Sequence, residues 1–153
     1  MTDDSDTAGL KIVDFGLSKI IGPNKTSLDP FGTLSYVAPE VLLQKPYGKE
    51  VDYWSLGVIS YLLLSRVLPF DDEDDKEIAR QTITDAADFS FHPWEQVSQG
   101  AKDVCKALLE KSRAKRAKIE DVLNMEWFTE YKDITKARRE ASPETRFKAY
   151  TLT

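Results

Sequence analysis

The apolar residues of this chain gather in one dominant block. From Val51 to Leu64, VDYWSLGVISYLLL, ten of fourteen residues are apolar, and they are not confined to one stripe. A helix apolar on nearly every side must be buried on nearly every side. The pattern therefore predicts a central pillar with other helices packed around it. Pro39 suits a first helical turn and opens PEVLLQK, which stops before Pro46-Tyr47-Gly48. DDEDDKEIARQTIT starts acidic, as the positive end of a helix dipole favours, and then sets Ile78, Ala79 and Ile83 on an inner face. A further helix is predicted from Ser98, a good N-cap, through Ala101, Val104, Cys105, Leu108 and Leu109, and another over 119–124. Near the start the pattern changes. Leu10, Ile12 and Val13 read as a short buried strand, broken by the turn Asp14-Phe15-Gly16. Residues 17–35 are rich in Gly, Pro, Asn, Ser and Thr, and a loop of that length inside a compact domain is usually functional. The expected fold is mainly α, with a short β element at the N-terminus.

Composition narrows the class. At 153 residues, 41% hydrophobic and 31% charged, the chain suits one soluble domain. The net charge of -5 excludes generic nucleic-acid affinity, which needs a basic face. The charge is uneven: residues 129–153 hold six Lys/Arg and four Asp/Glu, leaving -7 on residues 1–128. Cys105 is the only cysteine, which fits a reducing compartment and a small buried residue better than a nucleophile. One His and one Cys cannot form a zinc site of the usual kind. The start, MTDDSDTAG, has no basic or apolar stretch of a signal peptide. The apolar block is too short to cross a bilayer, which needs about 20 residues. A cytoplasmic chain without a nucleic-acid or membrane partner is the expectation. The acids Asp71–Asp75 read as a solvated helix start. As a calcium loop they would place Lys76 where Gly and Thr82 where Glu are needed.

The chemistry lies in an ordered set of short motifs: Asp14-Phe15-Gly16, a loop over residues 17–31, Gly32-Thr33-x-x-Tyr36-x-Ala38-Pro39-Glu40, Asp52-x-Trp54-x-x-Gly57, then Pro69-Phe70. In that order and spacing the sequence resembles the C-terminal lobe of a eukaryotic Ser/Thr protein kinase. FDDEDDKEIARQTI, FSFHPWEQVS and IEDVLNMEWF make it similar to the calcium/calmodulin-dependent group, and most similar to the calcium-dependent kinases of protists and plants.

The resemblance implies roles. Asp14 would hold the Mg2+ that bridges ATP phosphates, for which a carboxylate is a suitable hard ligand. Phe15 would pack inward and Gly16 would allow the turn. Gly32, Thr33 and Tyr36 match the segment that positions a substrate peptide. Glu40 resembles an acid that pairs, buried, with a late arginine, here Arg116. Asp52 matches an acid at the head of the central helix that braces the catalytic loop, with Trp54 and Gly57 as structural companions. The family usually has Asp-Pro where this chain has Ser112-Arg113. Thr26 and Ser27 are candidates for activation-loop phosphorylation or ordinary loop hydroxyls. His92 reads as structural, since no partner for a general base is evident.

The resemblance also marks what this sequence does not contain: a G-x-G-x-x-G loop, a strand lysine in a V-A-I-K setting, its helix glutamate, and an H-R-D-x-x-x-x-N catalytic loop. The expectation is therefore a kinase C-lobe fragment whose Met1 is an internal methionine of a larger kinase. A separately encoded fragment is the rival. The domain would cover 10–128, after a polar connector over 1–9. The helix that covers one side of the central pillar lies upstream in the family, so an exposed apolar patch is expected. Implied partners are a protein substrate in the full-length context, an intact kinase, or the missing kinase segment. The alternative class is a non-catalytic, kinase-like interaction module. Residues 129–153 form a basic tail, either solvated or an autoinhibitory or linker stub with Arg138, Arg139 and Phe147 as contacts. Arg139-x-x-Ser142 resembles a phosphorylation pattern of this group.

Overall fold

A computed structural model describes residues 12–20, 26–28 and 32–129. The proposed connector over 1–9, Leu10 and the tail from 130 onward, with Arg138, Arg139, Ser142 and Phe147, lie outside the described residues. Among the described residues, a 3-10 turn at Leu34–Tyr36 is followed by α1 Pro39–Leu42, α2 Glu50–Ser65, α3 Asp75–Thr84, α4 His92–Glu95, α5 Gln99–Leu108 and α6 Ile119–Val122, and residues 126–129 are helical again.

The boundaries follow local chemistry. Pro39 occupies the first turn of α1, where its missing N–H costs nothing. Arg66 ends α2 in the left-handed region at φ 66°, with its N–H on the Leu62 carbonyl. Of the acidic run, Asp74 is the cap of α3: its carboxylate accepts from the Lys76 N–H at 3.0 Å. Ser98 caps α5, its Oγ accepting from the Ala101 N–H at 3.3 Å.

The pillar is α2. Its 16 residues run about 24 Å at 1.5 Å per residue. Trp54, Val58 and Tyr61 enter a core completed by Ala38, Phe70, Trp94, Cys105 and Leu109. The Tyr61 ring packs between Phe89 and Trp94, at 5.4 and 4.7 Å between centroids, and its hydroxyl donates to the Asp88 carbonyl. Gly57 lets α5 press against α2: a Cβ there would sit 2.8 Å from the Leu108 Cβ. A second cluster of Val104, Leu108 and Val122 continues the core under Trp127 and Phe128. Lys111 ties α3 to this body, donating from Nζ to the Gln81 and Thr82 carbonyls at the end of α3, and it lies 4.0 Å from the Phe70 ring centroid. Burial lowers its ammonium pKa to about 8.

Two expectations are corrected. The mainly α fold holds, but Ile12 and Val13 are 82% and 75% exposed and form no strand. A strand needs a neighbour to take its N–H and C=O groups, and none of the described residues lies beside them. The one isolated β bridge in the described chain is Ser27 with Tyr47. The pillar, too, is not buried all round. Leu56, Ile59 and Leu63 leave one apolar face open, Leu63 at 77% exposure, as the patch argument required.

Candidate functional site

The candidate site is a groove of about 450 Å³ that collects three stretches of the chain. Residues 17–19 come from the loop after Asp14-Phe15-Gly16. Gly32, Thr33 and Tyr36 come from the Gly32–Glu40 motif, and Lys49, Asp52 and Ser55 from the head of α2.

Asp14 lies in the left-handed region at φ 63°, which Asp tolerates better than most residues. Its Oδ1 accepts from the Gly16 N–H at 3.2 Å, and the turn continues with Ser18 bonding the Phe15 carbonyl through both N–H and Oγ. Asp14 is exposed. Phe15, expected to pack inward, is instead 67% exposed, because no described apolar surface faces it. Asp14 does not line the groove, although Leu17–Lys19 next to it do. Among the described residues no group of three or more His, Cys, Asp or Glu could hold a metal ion. Asp14 offers a single exposed carboxylate, and Mg2+ commonly binds through one or two carboxylates plus phosphate oxygens and water.

Gly32 has φ 127°, which favours glycine, and a Cβ would also meet the Val37 side chain at 3.0 Å. The 34–36 turn is fastened to α2 by Ser55, whose Oγ donates to the Tyr36 carbonyl at 2.9 Å. Asp52 stands one turn earlier on α2 and lines the same groove; its side chain is exposed, and partial desolvation raises its carboxyl pKa. Thr26 is exposed. Ser27 is buried, exchanges backbone bonds with Tyr47 at 2.8 and 3.0 Å, and accepts at Oγ from Lys19 Nζ at 3.1 Å. Its hydroxyl is therefore less open to modification in this arrangement than that of Thr26.

Glu40 and Arg116 meet across 76 positions. Arg116 Nη1 donates to Glu40 Oε1 at 2.7 Å and Nη2 to Oε2 at 2.8 Å, a two-pronged match of planar groups. Two more donors are used as well, Nε on the Glu110 carbonyl and Nη1 on the Glu50 carbonyl, both at 3.0 Å. The guanidinium carbon lies 5.1 Å from the Trp54 ring centroid. Trp54 and Gly57 sit in the core below, away from the groove. His92 is exposed at the start of α4.

Sequence reasoning passed over several residues of this site. Ser55 lies three positions after Asp52 and so shares its helix face. Arg113 fell at the departure from Asp-Pro, and its partners Pro46 and Glu50 lie more than 60 residues away, where no local pattern could show them.

The mainly helical architecture fits a kinase C-lobe-like fragment. The protein kinase domain family matches residues 1–128, and the chain belongs to that family, as a Ser/Thr kinase sequence of the calcium-dependent and calcium/calmodulin-dependent group. It is 46% identical over 118 residues to calcium-dependent protein kinase 11 of Oryza sativa subsp. japonica, covering 77% of this chain and 20% of that protein. With calcium-dependent protein kinase 4 of Arabidopsis thaliana it shares 44% over 126 residues, 82% of this chain and 25% of the relative. It is equally similar, 44% over 120 residues, to calcium/calmodulin-dependent protein kinase type 1B of Rattus norvegicus, covering 78% of this chain and 35% of that protein. The chain thus spans between a fifth and about a third of the length of these relatives.

Proposed function

We propose that this chain supplies the substrate-positioning half of a Ser/Thr kinase catalytic domain, which in its full-length context transfers the ATP γ-phosphate to a protein Ser or Thr. The observation that carries this reading is the groove, which brings Gly32, Thr33 and Tyr36 together with Asp52 and the segment following Asp14. In that context Asp14 would contribute one carboxylate to Mg2+, which neutralises phosphate charge. The segment 32–36, fixed through Ser55, would hold the acceptor peptide. A cytoplasmic setting suits the single buried thiol, whose pKa burial pushes up to about 12.

The 153-residue chain alone is, on this proposal, inactive. Phosphoryl transfer depends on positioning and electrostatics, and this sequence holds neither a Gly-rich loop nor an H-R-D motif. A non-catalytic interaction module is the second reading, favoured by the open apolar face of Leu56, Ile59 and Leu63. Two assays separate them. The purified chain with Mg2+-ATP and a mixed peptide library should give no transfer above an Asp14→Ala control. Residues 10–128 grafted in place of the matching segment of the rice relative should support transfer that Asp14→Ala abolishes. An inactive, folded graft would refute the catalytic reading.

A further inference from the structure

Arg113, in the loop after α5, reaches back to the turn that leads into α2. Its Nε pairs with the Glu50 carboxylate, and its Nη1 donates to the Pro46 carbonyl at 2.7 Å. Glu50 Oε1 also accepts from the Gly48 N–H at 2.9 Å. A Cβ at position 48 would lie 2.7 Å from Glu50 Oε2, so any larger residue there would push the Glu50 carboxylate aside. Arg116 holds the same residue by its main-chain carbonyl. Two arginines three positions apart thus grip Glu50, one by its backbone and the other by its side chain. The turn they fix carries Tyr47, which pairs in both directions with Ser27, and Tyr47, Gly48 and Lys49 form one wall of the groove.

We infer that Arg113 is a positioning residue for the groove. It clamps the 46–50 turn from two sides and, through the Tyr47–Ser27 pair, sets where the loop after Asp14 rests. The Pro46 carbonyl and the Glu50 carboxylate need donors at a fixed spread, which a guanidinium supplies and an ammonium does not. Arg113 is exposed, so its removal strands no buried charge. Its effect is therefore on the rim of the groove, whereas the Glu40–Arg116 pair acts on the core. That the groove receives a peptide rests on the function proposed above; the clamp itself does not.

Residue-resolved amide exchange on the full chain tests the clamp. Arg113→Ala should speed exchange at Ser27, Tyr47 and Gly48 about fivefold, with the α2 and α5 amides unchanged, and Arg113→Lys should restore only part of the protection. Unchanged rates at these three amides, or a uniform rise through α2 and α5, would overturn it. In the graft, Arg113→Ala should raise the peptide KM several-fold and leave kcat and the KM for ATP alone. A lower kcat at unchanged peptide KM would overturn the positioning role. A graft inactive with Arg113 intact would instead refute the functional reading, and the exchange rates would then decide the clamp by themselves.

Discussion

Trp54 and Phe15 are both large aromatic residues of kinase motifs, yet Trp54 is fully buried and Phe15 is two-thirds exposed. Around Trp54 every neighbour comes from the same compact stretch: Phe70 stacks on it at 5.9 Å, and Arg116 and Lys111 approach its ring. Around Phe15, Ile12, Val13 and Leu17 are exposed as well. The helical body from Val37 to Phe128 packs a shared core, while the segment carrying Asp14 does not join it. Burial is what separates them. A helix satisfies its own backbone and needs neighbours only for side chains, but a strand at 12–13 would need a partner for its backbone too.

Breaking the body should have the largest effect. Arg116→Ala leaves the Glu40 carboxylate buried without its partner, at a cost of roughly 3–5 kcal/mol in denaturant or thermal unfolding. Phe15→Ala, by contrast, should stay within about 0.5 kcal/mol, as exposed substitutions do. Equal effects would erase the distinction between the two regions. Next in size is Gly57→Ala, whose new methyl meets Leu108 and Leu109. Overpacking of this kind costs about 1–3 kcal/mol, and an unchanged melting temperature would show that α5 does not press on α2 there.

Asp52 sharpens the comparison where body and groove meet. Although its side chain is exposed, partial desolvation raises its folded pKa, so the protonated form is slightly favoured in the folded state. It contributes stability at low pH and loses that contribution as pH rises through the raised value. Asp52→Asn should therefore raise the melting temperature at pH 7, with the gain shrinking toward zero as the pH falls below the carboxylate range. A gain constant with pH would mean that desolvation of the charge is not its cause. The smallest effect belongs to Leu63→Gln. It should leave stability within about 0.5 kcal/mol but reduce self-association in sedimentation velocity, since it interrupts the open face of α2.

The body was legible in the sequence because its signals are local or dense: Pro39 at a helix start, Ser98 as a cap, and an apolar run too thick for any surface helix. Glu40 and Arg116 were legible only through the family resemblance, since a separation of 76 positions hides the pair from any periodicity. The strand reading misled at Ile12 and Val13 because an apolar run reports a wish for burial and says nothing about whether a partner is beside it. The Arg113 clamp was illegible for a related reason. An exposed arginine in a turn looks solvated until the fold brings Pro46 and Glu50 under it.

Limited proteolysis followed by mass spectrometry tests the central contrast most directly. With a protease of broad specificity, first cuts should fall within residues 12–20, and a fragment spanning Val37 to Phe128 should persist long after them. Early cuts inside α2 or α5, or a segment 12–20 as resistant as the helical body, would contradict the account.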